Sequence, residues 1–318
     1  MKQQRHVCVL GGSGFVGTHL VNRLASEGYQ VTVLSRRPER QRHLLVLPTV
    51  SVITADVFDE EALVTCFSGM DTVVNLIGLL NETTKHSFAS VHVDLARKVA
   101  NACRSSGVRR VLHMSALNAD EARGASVYLR SKGEAENHVH ALHDVAVTSF
   151  RPSVIFGEND SFFNRFAMLL RLSPGFLPLA APNARFAPVY IDDVVSAMVT
   201  SITEQASYGQ RYNLCGPQEY SLRELVEYTA KIITCKRKII SLSDGLSELT
   251  ARIMELVPGK PLTRDNLASM KVDSICKDSF PALFSIELSS IEAIVPGYLS
   301  ADSEGEYFDR LRELARHE

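Results

Sequence analysis

Four apolar residues, Val7-Cys8-Val9-Leu10, run directly into Gly11-Gly12-Ser13-Gly14-Phe15-Val16-Gly17. Beyond the glycines, Phe15, Val16, Leu20, Val21 and Leu24 recur at helical spacing. The pattern predicts a buried strand, a tight turn and a helix. Glycines let the backbone turn sharply and let the helix pack closely on the strand. The free N–H groups at the helix start then face an anion. The expected ligand is the pyrophosphate of a dinucleotide, held by Gly11, Ser13, Gly14, Phe15, Val16 and Gly17. An ordinary glycine turn without a ligand has the same local pattern, so the decision falls to the residues downstream.

The downstream pattern is an alternation of short apolar strands with amphipathic helices. Strands are expected at Val7–Leu10, Val31–Leu34, Val52–Thr54, Thr72–Ile77, Arg110–Met114 and Ala146–Phe150. Helices are expected after Gly14, after Asp59, over about 87–105 and over about 128–141. Such a series predicts an α/β fold, a Rossmann-type doubly wound parallel sheet, with ligands outside the carboxyl ends of the strands. Residues 1–155 are assigned to this dinucleotide-binding domain. Residues 156–318 are assigned to a smaller α/β lobe, for substrate or partner, interwoven with the first.

Within the lobe, Asp192 or Asp193 is expected to cap a helix, and Ser221-Leu222-Arg223-Glu224 reads as a capping box. The helix at Gly245–Val257 has an apolar face that would pack on its own domain or meet a partner or membrane surface. The charged end, from Ser300, reads as a surface helix. His86 and His92 are expected as solvated side chains on a helix surface.

Composition narrows the partners. The 318 residues carry a formal net charge of -2, so no basic excess points to nucleic acid. The six cysteines form no CxxC pair, and the ten histidines show no HExxH spacing. Neither a metal site nor a disulfide framework is expected, and a reducing, cytoplasmic compartment fits best. No apolar run reaches the roughly 18 residues of a membrane span.

Three places bear on the cofactor. Strand two ends in Ser35-Arg36-Arg37, where an NAD site usually carries an acid for the ribose 2′-hydroxyl. Two arginines would instead pair with a 2′-phosphate, so NADP(H) is expected over NAD(H). Asp56-Val57, after strand three, suits the adenine: the carboxylate would accept from the amino group and Val57 would meet the ring. Capping of a local turn is the competing role for Asp56. Leu76, Ile77 and Gly78, ending strand four, let the chain pass beside the ribose and nicotinamide.

The chemistry rests on Tyr128-Leu129-Arg130-Ser131-Lys132. Residues four apart share a helix face, so Lys132 is expected beside the Tyr128 hydroxyl, lowering its pKa. A tyrosine so tuned exchanges the proton that accompanies hydride transfer at a carbonyl.

With Gly11-x-x-Gly14-x-x-Gly17, Asp56-Val57, Tyr128-x-x-x-Lys132, Arg151-Pro152-x-x-x-x-Gly157 and Tyr190-Ile191-Asp192-Asp193-Val194, the chain resembles extended or atypical short-chain dehydrogenase/reductases. Leu117-Asn118-Ala119, Ile155-Phe156-Gly157-Glu158-Asn159-Asp160 and Leu262-Thr263-Arg264-Asp265 make it similar to the family of the 39-kilodalton accessory subunit of respiratory complex I and its bacterial relatives. The resemblance implies bound NADPH, with Lys132 on the nicotinamide ribose and Pro152 and Val154 beside the cofactor. It implies Tyr128 as acid/base, Lys132 as its tuner and Ser115 as the auxiliary hydroxyl. Extended enzymes often place that hydroxyl one or two residues later, where this chain has Ala116 and Leu117.

Phe162–Leu179 is apolar, and Arg165, Arg171 and Arg185 are the basic residues near it. The stretch suits a lipophilic, quinone-like substrate better than a sugar nucleotide, or else it is core of the smaller lobe. The leading expectation is therefore an NADP(H)-dependent oxidoreductase. The competing one is a non-catalytic NADPH-binding accessory or assembly factor of a respiratory or quinone-biosynthesis assembly, located in the cytoplasm or peripherally at the inner face of the membrane. A sugar-nucleotide epimerase or dehydratase is the third.

Overall fold

The computed structural model describes residues 5–257 and 260–300. The first β-strand, β1 (His6–Leu10), is buried from Val7 on. It leads through the glycine turn into α1 (Phe15–Ser26), which buries Leu20, Val21 and Leu24. Gly28 follows with φ +83°, a left-handed conformation that lets the chain leave the helix for β2 (Gln30–Ser35). Then come the short α2 (Arg42–Leu45), β3 (Val50–Thr54), α3 (Glu60–Phe67) and β4 (Thr72–Asn75). Asp59 caps α3, accepting from the N–H groups of Glu61 and Ala62.

The helix expected over 87–105 is not uniform. A π-helical turn at Ala89–Asp94 runs into α4 (Leu95–Ser106), which Gly107 ends. β5 (Arg110–Met114), α5 (Val127–His140) and β6 (Ala146–Pro152) follow.

The chain continues through β7 (Ile155–Phe156), α6 (Phe163–Leu172), β8 (Phe176–Leu179), β9 (Arg185–Phe186) and β10 (Val189–Tyr190). Next are α7 (Ile191–Thr203) and β11 (Arg211–Leu214). β12 (Tyr220–Ser221), α8 (Leu222–Ile232), β13 (Lys238–Ser241), α9 (Asp244–Met254), α10 (Arg264–Ser269) and α11 (Ile291–Leu299) complete the described elements. Asp192 and Asp193 lie inside the first turn of α7 rather than at its cap, because Ile191 is already helical. The capping box of Ser221 and Glu224 forms as expected. The helix expected from Ser300 lies outside the described residues.

Seven parallel strands form one sheet in the order β11-β6-β5-β4-β1-β2-β3. The order reverses between β1 and β4, at the carboxyl ends where doubly wound sheets bind ligands. The chain groups into two compact units: 1–152 with 191–214 and 279–286, and 153–190 with 215–278 and 287–318. α7 and β11 thus return to the first unit. Buried Arg110 holds that return, donating to the Ser201 carbonyl at 2.7 Å, to Ser207 Oγ at 2.8 Å and to Thr148 Oγ1 at 2.6 Å.

The second unit packs Phe156, Phe163, Leu170, Leu177, Leu225 and Val295 into its own core. Much of Phe162–Leu179 is therefore core of this unit. Asp160, from the Ile155–Asp160 stretch, is buried and structural. It accepts from Phe163 N at 2.7 Å and from the Tyr298 hydroxyl at 2.7 Å. Cys215 and Cys276 form a disulfide across a sequence separation of 61, contrary to the expectation of free thiols. The two cysteines sit in different loops, so no short spacing announces the pair. The apolar face of α9 does not pack on its own unit, the first of the two places expected for it: the helix buries Ser247 and Ala251, and Leu246, Leu249 and Ile253 are exposed.

Candidate cofactor and catalytic site

The glycine turn is built by contacts that no side chain would permit. A Cβ on Gly17 would stand 2.1 Å from the Gly11 carbonyl oxygen, and one on Gly12 would stand 2.8 Å from Val33 Cγ1. Gly11 has φ +80°, and its turn lies against Leu76, whose N–H donates to the Leu10 carbonyl at 3.0 Å. Gly14 is the N-cap of α1 with no side-chain capping bond, and the first turn carries no acid. Phe15 and Val16 open the helix. A helix start of this kind fits a phosphate group.

Beside the turn lies a cavity of about 810 Å³. Gly11, Ser13, Ser35, Arg36, Arg37, Val57, Ile77 and Gly78 line it. Arg40 and His86 join them, so the walls bring three guanidinium groups and no carboxylate. His86 is half-buried and stacks on Phe58 with ring centres 5.5 Å apart, so the solvated position expected for it is not observed. Asp56 is exposed and does not line the cavity; its Oδ1 accepts from Phe58 N at 3.0 Å, capping the local turn.

Lys132 and His92 approach this cavity at Gly78. A Cβ there would stand 3.2 Å from Lys132 Nζ and 3.6 Å from His92 Nε2. Lys132 is buried and donates to the Met114 carbonyl at 2.8 Å. Burial pulls its ammonium pKa down to about 8, against the opposing effect of Glu136. Tyr128, half-buried, packs edge-on against the rings of Phe88 and His92. Burial pushes its phenol up to about 12. The depression by Lys132 expected from the sequence is not found, because desolvation governs the hydroxyl. Ser115 is buried, its N–H donates to the Phe150 carbonyl at 2.8 Å, and its Oγ has no partner among the described residues. Such an orphaned hydroxyl fits a ligand oxygen.

His92 is the residue most misread from sequence. It is buried within the π-helical turn, on the same face as Phe88, Val91 and Leu95, and not solvated as expected. Its Nε2 accepts from Leu79 N at 2.9 Å, which leaves the proton on Nδ1, 2.8 Å from Ser131 Oγ. Ser131 Oγ in turn donates to the Tyr128 carbonyl at 2.8 Å. Burial and the nearby Lys132 ammonium lower the His92 pKa to about 3, so the ring is neutral. Glu136, fully buried one helical turn beyond Lys132, receives both Arg151, at 2.7 Å and 2.9 Å, and Arg211. The arginine of Arg151-Pro152 is therefore a clamp on α5. Pro152 ends β6, and its carbonyl accepts from Leu117 N at 3.0 Å. Val154 belongs to the second unit.

Residues 7–215 match the model of the NAD dependent epimerase/dehydratase family. The chain belongs to this family. Among its relatives, the mitochondrial NADH dehydrogenase [ubiquinone] 1 alpha subcomplex subunit 9 of Mus musculus is 29% identical over 302 residues, covering 90% of this chain and 78% of the relative. A ceramide reductase of Caulobacter vibrioides is 29% identical over 238 residues, covering 75% of this chain and 74% of the relative. The UDP-glucuronic acid 4-epimerase of Bacillus cereus, solved with UDP-glucuronic acid and NAD, has the same fold. Its TM-score is 0.66 at 18% identity, covering 92% of this chain and 98% of that one.

The resemblance to extended short-chain dehydrogenase/reductases and to the 39-kilodalton subunit is borne out, and the protein is an NAD(P)-binding member of this family. No described helix is long and apolar enough to cross a membrane. Within the family frame, Arg40, His86 and His92 are the site residues that sequence reading passed over. Arg40 had a signal in its nearness to Arg36 and Arg37. His92 had none beyond its place on an otherwise apolar helix face.

Proposed function

We propose that the protein binds NADP(H) in preference to NAD(H) and acts as an oxidoreductase on a lipophilic carbonyl or hydroxyl compound, quinone-like in character. The observation that carries this reading is the cavity wall of Arg36, Arg37 and Arg40 without a carboxylate. Guanidinium groups pair with a 2′-phosphate, whereas a 2′-hydroxyl calls for an acid. The residues fit the cofactor: the uncapped start of α1 and Ser13 for the pyrophosphate, Val57 for the adenine, and Ile77 and Gly78 for the nicotinamide side. When bound, NADP(H) supplies or takes the hydride. Tyr128 exchanges the proton with the substrate oxygen, Ser115 Oγ polarises that oxygen, and Lys132 holds the ribose. His92 keeps the Leu79 backbone and the Tyr128 turn in register. Pro152 and Val154 are assigned to the cofactor on the resemblance alone.

A lipophilic substrate is supported by the relative named ceramide reductase. Titration with NADPH and with NADH tests the cofactor choice; tighter NADH binding overturns it. Turnover of short-chain quinones that disappears in Tyr128→Phe tests the reaction.

A second reading is favoured by the hydroxyl itself: burial pushes Tyr128 up to about 12, and residues 116–118 offer no second hydroxyl donor. In that reading the protein holds NADPH without turnover, as an accessory or assembly factor of a respiratory or quinone-biosynthesis assembly. The relationship to a mitochondrial NADH dehydrogenase subunit supports it. Either way we assign the protein to the cytoplasm or, alternatively, to a peripheral place at the inner face of the membrane.

A further inference from the structure

β8 and β13 form a two-stranded parallel sheet in which Phe176 pairs with Lys238 and Pro178 with Ile240. Along a strand successive side chains alternate between faces. One face puts Leu177 and Leu179 into the core of the second unit, while Phe176, Pro178, Lys238 and Ile240 are exposed on the other. The turn before β13 is fixed to the end of α6: Cys235 Sγ lies 3.5 Å from the Leu170 carbonyl, and Lys238 N donates to the Gly175 carbonyl at 3.1 Å. Leu172, at the end of α6, is 75% exposed.

Charge on these segments has one sign. No Asp or Glu occurs from 161 to 191 or from 228 to 243, whereas the second stretch alone holds Lys231, Lys236, Arg237 and Lys238. The whole chain is slightly acidic, with a net charge of -2, so this is a local asymmetry rather than an average property. α9, which follows β13, adds Leu246, Leu249 and Ile253, all at least half exposed and spaced along one face. Exposed apolar side chains beside cations are the two signals that together hold a protein on an anionic bilayer.

We propose that the exposed face of the β8–β13 sheet, with Leu172, Phe176 and Ile240 as apolar anchors and Lys236 and Lys238 as cations, docks on an anionic lipid surface. This deepens the peripheral-attachment reading and rests on it, but is independent of turnover and of nucleotide preference. The test is flotation of the full-length protein with phosphatidylcholine vesicles, with and without phosphatidylglycerol. Wild type is expected to float with the anionic vesicles only, and added salt is expected to release it. Lys236→Glu and Lys238→Glu should each lower partitioning by about fivefold or more. Leu172→Ser with Phe176→Ser should abolish it, while the melting temperature and NADPH binding stay at wild-type values.

Flotation of wild type that these variants leave unchanged overturns the proposed surface and leaves peripheral attachment standing through another face. No flotation with either vesicle overturns both. Concentration-dependent dimers that the same variants dissociate, without flotation, overturn the proposal in favour of a contact between copies.

Discussion

Arg36, Arg37 and Arg40 stand exposed on the loop after β2, whereas Lys132 and His92 are buried on packed helices, with the Tyr128 ring edge-on to that of His92. The arginines line the cavity, and Lys132 and His92 approach it only behind Gly78, so the two groups meet water differently. The arginines are exposed side chains on the surface of the first unit. The helical cluster has its hydrogen bonds fixed and its pKa values moved by burial: Lys132 down to about 8, His92 down to about 3 and Tyr128 up to about 12. The contrast teaches a division of labour. Under the proposed function, exposed loop residues would select the nucleotide, and buried helical residues would handle the proton.

Tyr128→Phe has the largest expected effect. If the helical cluster moves a proton, turnover should fall by roughly 10²- to 10⁴-fold with nucleotide affinity unchanged. An unchanged rate would shift the reading to a binding protein. Gly17→Ala attacks the frame that both groups share. Its Cβ would meet the Gly11 carbonyl oxygen at 2.1 Å, so a loss of about 3 kcal/mol is expected from thermal melts, along with nucleotide binding.

Arg36→Ala with Arg37→Ala breaks the loop side alone. NADPH affinity should fall about tenfold to 100-fold while NADH affinity and melting temperature hold, measured by calorimetry. The smallest expected effect is that of His92→Leu, which leaves Leu79 N–H and Ser131 without their ring partner and should cost about 1–2 kcal/mol.

An acid titration probes the same residue. The folded pKa of His92 is depressed to about 3 from 6.5, so between these values the unfolded chain binds the extra proton. Stability should therefore fall as pH drops from about 6.5 toward 3. His113 and His140 are depressed by burial as well, so His92→Leu should flatten this fall without removing it.

Much of the first unit was legible because each strand there is a short apolar run and each helix carries a phase. Val7–Leu10 and Arg110–Met114 are buried along almost their whole length, as expected of a sheet covered on both faces. Asp59 and Ser221 announced their helices through side-chain caps, a signal that depends only on neighbours in sequence. What escaped depends on distant partners. Arg211–Leu214 is too polar to suggest the edge of the main sheet; its place follows from pairing with β6. His92 is accommodated by Leu79 and Ser131, 13 and 39 residues away. Cys215 finds Cys276 through the fold of the second unit. α9 had a clear amphipathic phase, but phase alone does not say which face a neighbour will take.

The return of α7 and β11 to the main sheet bears on how this gene could be cut or rebuilt. The units exchange the chain after residues 152, 190, 214, 278 and 286. No single stop codon or junction separates them. A truncation at 155 would strip β6 of its outer neighbour and Glu136 of Arg211, leaving a bare strand edge and a half-compensated buried carboxylate. The protein is thus indivisible as a genetic module: replacing its second unit would require grafting several separate segments into a continuous frame, not exchanging one half for another.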